Sequence, residues 1–185
     1  MMQALARHGI VEQDAASKAY RLGAGILRLA RMREASFPVS SLVMDALRQL
    51  NAETGETSHA SLIAGNSLAT VGLVRGTGAI HVTLDDGESL PFHATASGIA
   101  CMAFLPADQV RAILKRKLAH FTPHTPTAAD DVLRLVDDAR ACGYAMSNQS
   151  YEADVFGIAA PIFAASGTAC GAVSVSTPAL RMTRD

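Results

Sequence analysis

The stretch of residues 168–176 alternates between two kinds of side chain with a period of two. One face carries Ala169, Gly171, Val173 and Val175, and the other carries Cys170, Ala172, Ser174 and Ser176. A two-residue period predicts a β-strand. The valine-bearing face predicts packing against a helix. The small, partly polar face allows two interpretations, either the floor of a small-ligand pocket or an exposed sheet face with ordinary serines.

The rest of the chain mixes further strands with segments of helical period. Strands are predicted at residues 57–63, 68–74, 80–82, 144–146 and 158–163, and helices at 25–33, 37–54, 96–105, 108–117 and 128–142. Short extended pieces at 10–11 and 19–22 flank a turn, and another turn is predicted at 85–87. This mixture predicts an α+β fold, an antiparallel sheet with helices packed on it.

Two of the predicted helices carry more detailed expectations. An apolar stripe on the second helix predicts its buried face: Val39, Leu42, Val43, Ala46, Leu47 and Leu50. Thr127 resembles a start signal for the last helix, which is predicted to bury Val132, Leu135, Val136 and Ala139 and to stop at Gly143.

Composition excludes several classes of protein. The chain has 185 residues, 16 basic against 17 acidic side chains, 49% hydrophobic residues and 18% charged residues. The hydrophobic content is sufficient for a packed core. The balance of charges excludes a basic nucleic-acid-binding surface that covers the whole chain. No apolar run approaches the ~20 residues that a membrane-spanning helix needs. The three cysteines are scattered without a C-x-x-C pair, which favours a reducing, cytoplasmic setting.

The segment 91–98 leads directly into a predicted helix whose first turn consists of small residues. Thr95 is placed to cap this helix. The backbone N–H groups of Ala96, Ser97 and Gly98 then point out of the first turn and carry partial positive charge. Such a terminus suits a carboxylate or a phosphate.

Other chemistry-bearing patterns are weaker. His120 and His124 have a spacing seen in some zinc sites, but Pro123 prevents the helix that would align them, so solvated histidines are favoured. His93 with Cys101 or Ser97 suggests a hydrolase, although no third orienting residue is evident. We therefore expect no catalytic residue, no metal and no cofactor.

Seven short segments occur together in a characteristic order. They are Tyr-Arg-Leu-Gly at 20–23, Thr-Gly-Glu-Thr at 54–57, Leu-Pro-Phe-His-Ala-Thr-Ala-Ser-Gly at 90–98, Phe-Thr-Pro-His-Thr at 121–125, Gly-Tyr-Ala at 143–145, Ile-Ala-Ala-Pro-Ile at 158–162, and Ser-Val-Ser-Thr-Pro at 174–178 with Arg181 behind it. In this order and spacing the chain resembles the IclR-type bacterial transcription regulators, over nearly its whole length.

The resemblance implies a domain organisation and a set of partners. Family members have an N-terminal winged helix-turn-helix and a C-terminal effector-binding domain with a GAF-like fold, and they form dimers or tetramers. Residues 1–23 resemble only the end of the recognition helix and the wing, residues 24–35 a connector helix, and residues 36–185 the effector-binding domain. DNA is then a partner only through a winged helix-turn-helix that is mostly absent from this chain.

The resemblance also implies the ligand-facing residues, and none of them is catalytic. They are Ala96, Ser97, Ser147, Gly157, Ser174 and Ser176, with Ala79 and Val82 as apolar wall. Phe156 stands where the family often has arginine, and it would narrow the pocket if it points inward.

We therefore expect a ligand-sensing domain that binds a small organic acid, because the resemblance implies an effector that is often a carboxylate or an aromatic acid. Binding would change DNA affinity through subunit arrangement. The alternative is a stand-alone small-molecule binding or oligomerisation module without DNA binding.

Overall fold

The computed structural model describes residues 1–36, 38–84 and 88–182, apart from the side chain of Ser40. The chain divides into two compact units, Met1–Ser41 and Leu42–Asp185. The turn predicted at 85–87 lies outside the described residues. No helix within the described ranges is both long and apolar enough to cross a membrane.

The first unit contains two helices and a β-hairpin: α1 (Met2–Arg7), β1 (Val11–Gln13), β2 (Tyr20–Leu22) and α2 (Gly25–Ser36). The two strands pair antiparallel, as their extended pattern predicts. Asp14 closes the turn between them, because its Oδ1 accepts the backbone N–H groups of Ala16 and Ser17 at 3.1 and 2.7 Å. These bonds replace ladder hydrogen bonds where the chain reverses.

The second unit is built on one six-stranded antiparallel sheet. Its strands are β3 (Thr57–Ala64), β4 (Ser67–Val74), β5 (Ser89–Leu90), β6 (Ala145–Asn148), β7 (Val155–Phe163) and β8 (Ala169–Pro178). Their order is β5-β4-β3-β8-β7-β6, so β8 lies inside the sheet between β3 and β7. The helices are α3 (Val39–Thr54), α4 (Ala96–Ala103), α5 (Ala107–Leu114) and α6 (Ala129–Cys142). The α+β fold class is therefore confirmed.

Helices cover both faces of this sheet. On one face, Ser58 Oγ donates a hydrogen bond to the carbonyl oxygen of Leu47 in α3 at 2.7 Å. Gly72 lies under the same helix, and a Cβ there would be 3.1 Å from Leu47 Cδ1. On the other face lies α4, all of whose residues are buried. Val132 and Val136 of α6 complete the core cluster around it.

The small-residue face of β8 is more deeply buried than its valine-bearing face. Ala172, Ser174 and Ser176 are buried, whereas Val173 and Val175 are only half-buried. Val173 and Val175 lie on the other face, where Ser58, paired with Val175, bonds to α3, so packing of the valine-bearing face against a helix stays a prediction. The interpretation of the serine-bearing face as exposed is wrong. Small side chains let α4 approach the sheet closely, which explains why the helix packs on that face.

One predicted strand is absent from the described structure. Residues 80–82 form an irregular segment, and the edge strand beside β4 is Ser89–Leu90 instead. The segment is held by bonds from side chains: Thr57 Oγ1 donates to the Val82 carbonyl oxygen at 2.6 Å. His81 Nδ1 donates to the Gly78 carbonyl oxygen at 2.9 Å. These bonds stabilise a loop rather than a ladder.

The observed helix ends and buried helix faces agree only in part with those predicted from the sequence. Gly143 ends α6 with a φ of +84°, as expected of a left-handed cap. Thr127 does not cap α6, because the helix begins at Ala129 and no side chain caps it. The predicted apolar stripes are too wide, since Leu42 is 73% exposed and Leu135 is 37% exposed. Ala46 is also exposed.

Candidate ligand-binding site

A cavity lies between the first turn of α4 and the sheet, in the second unit. It contains about 440 Å³ of empty space, part of which is continuous with solvent. Thr95, Ala96 and Ser97 line it from the helix side. His59, Ser174 and Ser176 form part of the opposite wall. The helix and the sheet thus face each other across a concave site, the kind of place where small molecules bind.

The start of α4 presents two free backbone donors to this cavity. Thr95 is the N-cap, as predicted, because its Oγ1 accepts the Gly98 N–H at 3.1 Å and donates to the Pro91 carbonyl oxygen at 2.8 Å. Within the described part of the chain, no acceptor pairs with the N–H groups of Ala96 and Ser97. These donors and the helix dipole make this wall of the cavity favourable for an anion.

The sheet side of the cavity carries short side chains in register. Ser176 lies opposite Gly157 on β7, and Gly157 lies opposite Ser147 on β6. Gly157 keeps this side open, because a Cβ there would lie 2.8 Å from Ser147 Oγ and 3.5 Å from Ala96 Cβ. A larger residue at position 157 would therefore fill the space between the sheet and the helix.

Ser174 has a fixed hydrogen-bonding role. Its Oγ donates to the Ile158 carbonyl oxygen on β7 at 2.9 Å. The hydroxyl proton is thus used within the protein, and the oxygen lone pairs remain available as acceptors.

His59 on β3 also lines the cavity, directly opposite Ser174 in the register of β3 and β8. The side chain is only 4% exposed, and its Nδ1 has no hydrogen-bond partner among the described residues. Burial lowers the pKa of His59 from 6.5 to about 4. The imidazole is therefore neutral at physiological pH, with one N–H donor and one acceptor nitrogen.

The rim of the cavity is acidic. Tyr151 and Glu152 line it, and the Tyr151 hydroxyl donates to Glu88 Oε1 at 3.1 Å. Burial, and then the charge of Glu88, raise the pKa of Glu152 above its usual value. The same causes, in the same order, raise the pKa of Tyr151. A second negative charge on a bound molecule would be unfavourable at this rim.

The structure brings seven of the eight predicted ligand-facing residues to the cavity: Val82, Ala96, Ser97, Ser147, Gly157, Ser174 and Ser176. Ala79 does not reach it and lies exposed in the loop after β4, while Leu84 and Leu90 join Val82 in the apolar wall. Ligand contact by any of these residues stays a prediction.

Phe156 does not line the cavity. Val155 and Gly157, its neighbours on β7, do, and alternation along the strand directs Phe156 to the opposite face of the sheet. The expectation that Phe156 narrows the pocket therefore does not apply.

Sequence reasoning missed His59, Tyr151 and Glu152. His59 belongs to the polar face of a strand that was predicted, and its alternation with Thr57 and Ser61 was an available signal. Tyr151 and Glu152 lie in the loop between β6 and β7, where no periodicity points to a site.

The residues considered for catalysis do not form a reactive pair. His93 Nε2 donates to the Ala119 carbonyl oxygen at 2.8 Å. Cys101 is fully buried in the core, and its burial raises the pKa of the thiol to about 12. His120 and His124 are exposed, and across the described ranges no three metal-binding side chains are grouped.

The fold and the polar cavity define the effector-binding domain of a bacterial transcription regulator. The family model "Bacterial transcriptional regulator IclR C-terminal" matches residues 35–185. The chain therefore belongs to the IclR family, whose members are transcription regulators and not enzymes.

Relatives and solved structures agree with this assignment. The chain is 28% identical to the HTH-type transcriptional repressor AllR of Klebsiella pneumoniae, over all of this chain and 68% of that protein. A crystal structure assigned to the IclR regulators, from Silicibacter sp. TM1040, is 39% identical with a TM-score of 0.93, over all of this chain and 73% of that one. An IclR homologue from Microbacterium hydrocarbonoxydans, in complex with 4-hydroxybenzoate, shares the fold at 23% identity and a TM-score of 0.70, over 98% of this chain and 75% of that one.

Proposed function

We propose that the cavity binds a small organic acid as the effector of an IclR-type regulator. The carboxylate is held by the N–H groups of Ala96 and Ser97 at the start of α4. The observation that carries this proposal is that these two donors lack protein acceptors in the described structure and line a cavity with buried serines. Charge-assisted hydrogen bonds to backbone N–H groups stabilise a carboxylate there.

The remaining contacts set the size and the apolar part of the ligand. Ser147, Gly157, Ser174 and Ser176 leave space on the sheet side, and Val82 gives an apolar wall. The bound 4-hydroxybenzoate of the Microbacterium homologue is also an organic acid, which supports this ligand class.

The experiment is calorimetric titration of the full chain with a panel of metabolite monocarboxylates. We expect micromolar to millimolar dissociation constants for the acids that fit. Gly157→Val should weaken binding at least ~10-fold, because its side chain enters the cavity. The matched control is Ala160→Val, since Ala160 is an exposed position of the same strand. Silence across the whole panel would contradict the proposal.

Regulation of DNA binding is the second part of the proposal. The hairpin β1–β2 supports residues 1–23 as the wing and the end of a recognition helix, with residues 24–35 as connector and 36–185 as the GAF-like effector domain. Effector binding changes the arrangement of subunits in a dimer or tetramer in the cytoplasm, and so changes DNA affinity.

Sedimentation and gel-shift measurements test this second part. We expect a dimer or tetramer. Because residues 1–23 resemble only the wing and the end of a recognition helix, we expect the effector-dependent DNA shift from the chain joined to a complete winged helix-turn-helix. Acid binding without any DNA shift would favour the alternative, a stand-alone binding or oligomerisation module.

A further inference from the structure

We propose that His59 contacts the effector and selects monocarboxylic acids that carry a hydroxyl group over their deoxy counterparts and over dicarboxylates. This inference rests on the proposed acid-binding function and names the ligand class more narrowly. It depends on His59, on its cross-strand neighbour Ser174, and on the acidic rim of the cavity.

The Nδ1 atom of His59 is a buried polar atom without a hydrogen-bond partner among the described residues. The residue is 4% exposed, and it lines the cavity. A buried, unpaired polar atom costs roughly 1–3 kcal/mol, so its retention in a core is unfavourable for stability alone. A ligand group that pairs with the ring would remove this cost.

A ligand hydroxyl group matches the hydrogen-bonding groups of His59 and Ser174. The neutral imidazole has one donor and one acceptor, and a hydroxyl likewise donates once and accepts. Ser174, directly opposite His59, already donates to the Ile158 carbonyl oxygen and so presents only acceptor capacity. A ligand hydroxyl can therefore accept from the imidazole N–H and donate to Ser174 Oγ, whereas a methylene can do neither.

A second carboxylate is disfavoured on the same wall. Since the pKa of His59 is about 4, the ring supplies no positive charge at neutral pH. The rim adds the carboxyl group of Glu152, with that of Glu88 behind it on the Tyr151 hydroxyl, and burial, then the charge of Glu88, raise the pKa of Glu152. The free N–H groups of Ala96 and Ser97 serve one carboxylate, so a dicarboxylate would leave a buried charge unpaired.

The test compares matched acids that differ by one hydroxyl group. Calorimetry at pH 7.5 would titrate propanoate against lactate, butanoate against 3-hydroxybutanoate, and benzoate against 4-hydroxybenzoate, with malonate and succinate as dicarboxylates. For the pairs that fit, we expect the hydroxy acid to bind at least ~10-fold more tightly, because the deoxy acid leaves polar groups unpaired. Both dicarboxylates should bind more weakly than the hydroxy acids.

His59→Phe should abolish the hydroxyl preference, so that each hydroxy acid and its deoxy counterpart bind with affinities within ~2-fold of each other. Its thermal midpoint without ligand should equal or exceed that of the wild type, which shows that the variant is folded. His59→Asn keeps a donor and an acceptor and should retain part of the preference. Thr70→Val is the matched control, since the Thr70 hydroxyl is also buried, has no hydrogen-bond partner in the described ranges, and does not line the cavity.

The outcomes separate this inference from the proposed function. Three outcomes would overturn the role of His59 and leave the proposed acid-binding function intact. They are binding of monocarboxylates without a hydroxyl preference, a preference that survives in His59→Phe, and tighter binding of a dicarboxylate. Failure of every acid to bind would overturn the proposed function, and the inference with it.

Discussion

Arg181 and Glu56 form a two-armed ion pair across 125 positions of the chain, with Nε and Nη2 of the arginine each 2.6 Å from a carboxylate oxygen. Arg181 Nη1 also donates to the Ile80 carbonyl oxygen at 2.8 Å. The pair therefore links the end of β8, the start of β3, and the irregular segment that carries Val82 to the cavity wall. The hydrogen bond from Arg181 is the main cause that lowers the pKa of Glu56.

Glu56→Gln should lower the thermal midpoint at pH 7 by about 2–4 °C, because it removes a two-armed, charge-assisted contact. The pKa of Glu56 is lowered in the folded state, so this contribution is present at neutral pH and is lost as pH falls through the folded pKa. The midpoints of variant and wild type should thus converge in acid. Scanning calorimetry from pH 7 to pH 3 measures this.

The control for Glu56 is Glu12→Gln, which removes the exposed pair between Glu12 and Arg21. Exposed pairs contribute little, so its midpoint should stay within about 1 °C of the wild type. Equal effects of the two variants would contradict the structural role of the Glu56 pair.

His59 should make the protein less stable in mild acid. Its pKa is about 4 in the folded protein against 6.5 for a solvated histidine, so the unfolded chain binds the extra proton between these values. Stability therefore falls as pH drops below 6.5, by about 3 kcal/mol at pH 4. Urea unfolding at several pH values should show this loss in the wild type and a smaller loss in His59→Phe. His124→Gln, at an exposed position, is the control and should behave as the wild type.

Gly98→Ala should destabilise the fold by about 3 kcal/mol, because the added Cβ would overlap the backbone of Phe92 where 91–98 turns into α4. Gly157→Ala should cost less than about 1 kcal/mol, since its nearest contact is the rotatable hydroxyl of Ser147. Urea unfolding of both variants compares them. A larger loss for Gly157→Ala would contradict the packing of α4 described above.

The cysteines should differ sharply in reactivity. Burial raises the pKa of Cys101 to about 12, whereas Cys142 is exposed. Only the thiolate reacts, so a thiol reagent at pH 8 should modify Cys142 at least ~1000-fold faster than Cys101. Mass spectrometry of the labelled peptides measures both rates, and Cys142→Ser should remove the fast phase. Rapid labelling of Cys101 in the folded protein would contradict its place in the core and revive the hydrolase hypothesis.

Local patterns predicted the elements well where one periodicity or one cap dominates. The alternation at 168–176 predicted β8, Thr95 predicted the start of α4, and Gly143 predicted the end of α6. They failed where several structures satisfy the same local pattern. Residues 80–82 have the composition of a strand, but the hydroxyl of Thr57 binds the Val82 carbonyl oxygen and holds the segment as a loop.

The amino-acid sequence by itself determined the α+β class, the capped helix with free N–H groups, and a strand with one small-residue face, because each follows from neighbours along the chain. Only the tertiary structure decided that this face lies under α4, and that His59 stands opposite Ser174 beside it. Strand pairing joins residues that are far apart in the chain, and burial depends on all the elements that pack together. Neither strand pairing nor burial can be inferred from the periodicity of a single segment. The polar wall of the cavity could therefore be identified only from the assembled sheet.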